Sequence, residues 1–108
     1  MQSQTTILDI DNIRKSNSYK MVMENSSRIF SIRPRMNNTI SSYCMKHVLE
    51  DFLQTVPEFK GDTYAHNNTF IIAMEDQGYK LKRLHNSSNY TMNVKINKSR
   101  LKLAGINV

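Results

Sequence analysis

Apolar and polar residues alternate along four stretches of this chain. In YKMVME (residues 19–24), Tyr19, Met21 and Met23 fall on one side and Lys20, Val22 and Glu24 on the other. In IFSIRPR (29–35), Phe30 and Ile32 oppose Ser31, Arg33 and Arg35. In TFIIAME (69–75), Phe70, Ile72 and Met74 share a side. In YTMNVKI (90–96), Tyr90, Met92, Val94 and Ile96 oppose Thr91, Asn93 and Lys95. A repeat of two residues is that of a half-buried strand, so each stretch is predicted to be one. The segments between them, NSS, AHNN, EDQG and HNSSN, are built from residues that favour turns.

Residues 39–56 follow a different repeat. Ile40, Cys44, Val48 and Phe52 recur every four positions, with Met45, Leu49, Leu53 and Val56 beside them. This spacing predicts an amphipathic helix with Ile40, Cys44, Val48 and Phe52 facing the core. The preceding NNT offers an N-cap, and Pro57 ends the run. The expected fold is α+β: a two-layer domain with an antiparallel sheet of about six strands and one main amphipathic helix packed on one face. Residues 1–108, with no repeat and no Pro/Gly-rich linker, are expected to form a single domain. One helix cannot cover both faces of such a sheet, so the other face meets solvent or a partner.

The predicted helix carries the chain's one cysteine, Cys44, with His47 three residues later. On the line Ile40–Cys44–Val48–Phe52 the thiol faces the core, where cysteine acts as a small inert hydrophobe. His47 lies on the flank of that line. A zinc site needs further close ligands, and His66 and His85 stand alone in turns. Glu50 and Asp51 are helix neighbours that diverge by about 100° and do not converge as an acid/base couple. Glu75 and Asp76 precede Gly78 in an expected hairpin turn. The sequence has no P-loop and no nucleophile elbow. It therefore predicts no catalytic residue, no metal, no cofactor and no enzyme.

Charge changes the picture. Lys and Arg outnumber Asp and Glu by 15 to 9, giving a net charge of +6, and the pI is about 9.6. No acidic residue follows Asp76, whereas Lys80, Lys82, Arg83, Lys95, Lys98, Arg100 and Lys102 all do. If this half forms strands, alternation gathers those side chains on one face. Lys80 and Lys82 oppose Tyr79 and Leu81, Lys95 opposes Val94 and Ile96, and Arg100 and Lys102 oppose Leu101 and Leu103. Thr91, Asn93 and Asn97 would add neutral donors. The candidate nucleic-acid-binding set is Lys80, Lys82, Arg83, Asn93, Lys95, Lys98, Arg100 and Lys102: cations for phosphates, Asn93 for base edges. Arg28, Arg33 and Arg35 form a second basic run, read as a solvated face. Glu50, Asp51, Glu58 and Asp62 make an acidic counter-face.

One stretch resembles a known family. The run from SNSYKMVME through IFSIRPRMNNTISSYCMKHVLEDF to NNTFIIAME, residues 16–76, is similar to the C-terminal DNA-binding domain of MotA-type transcription factors of T-even phages. The family helix pattern Met-x-His-x-[Ile/Leu]-x-x-Phe is matched by Met45, His47, Leu49 and Phe52. The resemblance implies a saddle-like double-wing sheet that grips duplex DNA. The family's N-terminal winged-helix module has no counterpart here, and basic hairpins after Gly78 stand in place of its last helix. No contact residue is carried over. The bias towards Asn, Ser, Ile and Lys is that of an AT-rich genome, as many phages have.

Two functions follow as expectations. The first is a small basic regulatory protein, phage-encoded, that binds nucleic acid, duplex DNA before RNA, through its open sheet face. The second is a phage-type inhibitor or adaptor that docks on an acidic surface of a host protein acting on nucleic acid. A second copy of the chain would lengthen the footprint as a homodimer. One cysteine, no basic-then-apolar leader and no window of 18 apolar residues predict a cytoplasmic protein without membrane contact.

Overall fold

The computed structural model describes residues 7–59 and 61–108. In chain order the elements are α1 (Ile7–Lys15), α2 (Asn17–Asn25), a 3₁₀ turn (Ser26–Arg28) and β1 (Phe30–Asn37). There follow α3 (Ser42–Gln54), α4 (Asn67–Asp76), β2 (Leu81–Arg83), β3 (Tyr90–Ile96) and α5 (Lys98–Leu103). The fold is α+β, as expected, but its proportions differ. Among the described residues there are five α-helices and a three-stranded antiparallel sheet of order β1-β3-β2. The expectation of about six strands and a single main helix is corrected.

Three predicted strands are helices, each with a physical reason. In residues 17–25 the buried side chains are Met21, Val22 and Asn25, which is helical spacing. Ser16 supplies the cap, its hydroxyl accepting from Tyr19 N. In α4 the buried set is Thr69, Phe70, Ile71, Ala73 and Met74, too dense for a half-buried strand. This helix ends in a Schellman turn. Gly78 takes the left-handed conformation (φ 102°), its N–H donates to Glu75 O, and Tyr79 N donates back to Met74 O. Tyr79 buries its ring there, and desolvation pushes its phenol up to about 12. EDQG is thus a helix stop and not a hairpin turn. The segment holding Arg100 and Lys102 is α5, closed the same way at Gly105 (φ 80°), with Ile106 N bonded to Leu101 O.

The predicted helix exists as α3, capped by Ser41, whose hydroxyl accepts from Cys44 N. Its buried face is rotated from the expected one. Met45, Leu49, Phe52 and Leu53 enter the core with Phe70, Met74, Met92, Val94 and Leu101. Ile40 and Val48 are only partly covered, and Cys44 is exposed. The assignment of Cys44 to the core is therefore corrected. The rotation brings polar groups inside: Ser42, Lys46 and Glu50 are buried. Ser42 accepts from Tyr90 N of β3. Lys46 and Glu50 pair at 3.1 Å.

A second polar cluster joins three helices. Arg14 of α1 donates from Nε and Nη2 to the two carboxylate oxygens of Asp76 on α4, both at 2.9 Å. Tyr19 of α2 donates its hydroxyl to the same carboxylate at 2.6 Å. The hydrogen bond from Arg14, opposed by partial burial and assisted by Tyr19, holds Asp76 below the usual carboxylate range. Because the folded-state value lies below the unfolded one, this stabilisation is complete above the ordinary value of 3.8. It is lost as the pH falls through the lower folded value. Asp76→Asn should therefore lower Tm at neutral pH and flatten its fall below pH 4 relative to the parent. An unchanged acid limb would show that this carboxylate does not couple folding to pH.

Candidate nucleic-acid interface

β3 is the central strand, and its polar side is not open. Thr91 and Asn93 are 2% and 4% exposed. Asn93 Oδ1 accepts from Lys80 N at 2.7 Å, so the chain entering β2 seals the sheet at this point. Thr91 reaches Lys82 O. Asn97 is the N-cap of α5, accepting from Arg100 N at 3.0 Å. Thr91 and Asn93 are thus buried in the fold, leaving Asn93 little side-chain surface for a base edge, whereas Asn97 is exposed and engages the helix end through Oδ1 alone. The picture of one continuous basic sheet face is replaced by three groups.

Lys82 and Arg83 lie on β2 with Lys80 just before it, and Arg83 Nε donates to Ser87 O across the hairpin. Arg100 and Lys102 lie on α5, and the Arg100 guanidinium sits 5.8 Å from the centre of the Phe52 ring. Lys95 and Lys98 form the third group, at the junction of β3 and α5. All seven cations are exposed. Among the described residues the ion pairs are Arg14–Asp76, Lys46–Glu50 and His47–Glu50, none of which uses a cation of this half.

The third group gains a member from β1. Ile32 pairs with Val94 and Asn37 with Met92, so Arg33, Pro34, Arg35 and Met36 stand across from Asn93 alone. This wide bulge folds Arg33 back on its own loop. Its Nε donates to Arg35 O at 3.0 Å and its Nη2 to Met36 O at 3.1 Å. Arg33, Lys95 and Lys98 then rim a cleft of about 550 Å³ whose apolar lining is Ile40, Cys44, Val48, Ile96 and Val108. An adjoining depression of about 480 Å³ shares Lys95, Ile96 and Lys98 with it. The reading of Arg33 as part of a solvated face is corrected, and Pro34 is the sequence signal of its place. Proline within a strand marks an edge or a bulge, where side chains are re-aimed.

The Cys44–His47 pair is divided by the helix surface. Cys44 lines the cleft, whereas His47 turns to the other flank, its Nδ1 3.4 Å from Glu50 and its ring edge-on to Tyr43. His66 meets the Tyr64 hydroxyl through Nδ1 at 3.3 Å. Among the described residues no group of three or more His, Cys, Asp or Glu side chains gathers around a point a metal could occupy. Nor is any helix long and apolar enough to cross a membrane.

Comparisons of the chain with protein-family models, curated proteins and solved structures gave no match, so the likeness of residues 16–76 to the MotA-type domain rests on the motifs quoted for it alone.

Proposed function

We propose that this chain is a small, non-catalytic nucleic-acid-binding protein that holds phosphates with the cations of its acid-free second half. The observation that carries the reading is the convergence of Lys95 and Lys98 with Arg33 around a cleft lined by no Asp or Glu side chain. Unneutralised cations at one place attract a polyanion and release its counterions on contact. The fold spends acidic groups elsewhere: Glu50 and Asp76 are both engaged in internal pairs. A regulatory role in the cytoplasm of a phage-infected cell agrees with the composition and with the MotA likeness. A reducing compartment also suits an exposed, unpaired thiol.

The test is a titration against single-stranded DNA, duplex DNA and structured RNA at two salt concentrations. Each of Lys82→Ala, Lys95→Ala and Arg100→Ala that removes a phosphate contact should weaken binding equally on all sequences. Each should also flatten the plot of log affinity against log salt by about one unit. The cleft geometry ranks Lys95 and Lys98 above Lys102. Asn93→Ala should lower stability without changing sequence preference, because its amide supports Lys80 N. A folded triple-alanine variant with unchanged affinity and salt slope would end the assignment. Should no nucleic acid bind while an acidic host protein does so by a fast, salt-sensitive association, the inhibitor reading takes its place.

A further inference from the structure

We infer that the cleft between β1, α3 and β3 receives an unpaired nucleotide of a nucleic-acid strand, its base on Ile40, Cys44 and Val48 and its phosphates on Arg33, Lys95 and Lys98. This rests on the nucleic-acid reading and names the form of nucleic acid the site takes.

The lining has two chemistries side by side. Three cations and the apolar Ile40, Cys44, Val48 and Ile96 line the same cleft, with Asn37 and Thr39 beside them. A bare inorganic anion has no use for Ile40, Val48 and Ile96, and a purely apolar peptide has no use for the cations. A nucleotide has both parts, a flat apolar-faced base and an anionic tether. The volume, about 550 Å³, is within the range of small-ligand pockets. A base can enter only when it is not stacked in a helix, which is how single strands, loops and bulges are recognised. Paired bases would first have to be extruded.

The neighbouring depression argues for a strand over a free mononucleotide. Lys95 and Lys98 line both hollows, so a backbone crossing from one to the other passes the same two cations. Arg33 adds preorganisation. Two of its nitrogens are tied to Arg35 O and Met36 O, so little side-chain freedom is lost when a phosphate arrives. Besides the cations, the polar side chains lining the cleft are Asn37 and Thr39: the Asn37 amide donates to Val94 O and accepts from Thr39 N and from the Thr39 hydroxyl.

Cys44 makes the cleft directly testable, because it is the chain's only thiol and it is exposed there. The experiment follows alkylation of the full chain by N-ethylmaleimide, a neutral reagent, by mass. It is run with oligo-dT, with oligo-dT annealed to oligo-dA, and with inorganic polyphosphate. Oligo-dT at about ten times its Kd should slow alkylation about tenfold, the factor set by occupancy. The duplex and polyphosphate, at equal saturation, should leave the rate unchanged. Conversely, chain already alkylated at Cys44 should bind oligo-dT about tenfold more weakly, the loss of one base contact. Its Tm should be unchanged, since the thiol is outside the core. Salt-sensitive binding of oligo-dT with undiminished Cys44 reactivity would overturn the cleft and leave the nucleic-acid reading standing. Equal protection by polyphosphate would overturn it too, in favour of a simple anion site. Binding of no nucleic acid at all would remove both.

Discussion

Glu50→Ala should cost about 3–5 kcal/mol of stability, the largest loss expected from any charged residue in this protein. The carboxylate is almost fully enclosed, and Lys46 beside it is 4% exposed. Glu50 Oε2 accepts from Lys46 Nζ at 3.1 Å and from Ala65 N at 2.9 Å. Truncation therefore strands an ammonium and a backbone N–H together. The Tyr64 and Tyr43 rings, 4.9 and 5.5 Å from Nζ, help to hold the cation. They cannot replace its counter-charge. The double variant Lys46→Met with Glu50→Leu separates the pair from its burial. An apolar pair of similar size gives back most of the loss, leaving the unsatisfied Ala65 N–H at about 1–3 kcal/mol. Urea unfolding measures both. If single and double variants lose the same amount, the stranded lysine is not the cause.

Phe70→Ala should cost a similar amount, about 3–5 kcal/mol, for a different reason. Phe70 is fully buried and meets Phe30 edge-on, with ring centres 6.4 Å apart and planes at 75°. That contact joins α4 to the first strand of the sheet. Its removal leaves a cavity where helix and strand layers meet, and neither neighbour can collapse into it without giving up core packing of its own. The urea midpoint should fall with the m-value unchanged. A loss of only about 1 kcal/mol would mean that α4 does not seal the sheet.

The parts of this fold that were legible in the sequence are those with one dominant repeat. The helix at α3 and the strand at β3 each follow a single period over many residues, whereas β1 keeps its predicted alternation only up to the bulge and leaves Ile32 exposed. YKMVME and TFIIAME carry both periods at once. Tyr19, Met21 and Met23 alternate, yet Met21, Val22 and Asn25 share one buried helical face. Short apolar runs cannot be arbitrated by periodicity; the ends decide. Ser16 before one run and Gly78 after the other were such end signals, a cap and a left-handed stop. The candidate site was half legible. Lys95 and Lys98 follow from charge and position, but Arg33 arrives through a bulge, and its register depends on pairing with β3. Cys44 was misplaced because the apolar line Ile40–Cys44–Val48 borders a cleft, and a cleft wall is as apolar as a core. Lys46 and Glu50 hid inside the helix because burial of a matched pair leaves no mark in a hydrophobic pattern.

The bulge in β1 also bears on how the protein keeps to itself. In the order β1-β3-β2 the outer strands each offer a free edge to any other extended chain. On one side, Arg33-Pro34-Arg35 interrupts that edge with a missing donor and two positive charges, and bends the strand out of line. On the other, β2 is three residues long and presents Lys82 and Arg83 to solvent. Both edges carry the features by which sheets resist fibrous stacking. A concentrated solution of this basic chain is thus guarded against cross-β growth by the same loop that aims Arg33 at the cleft.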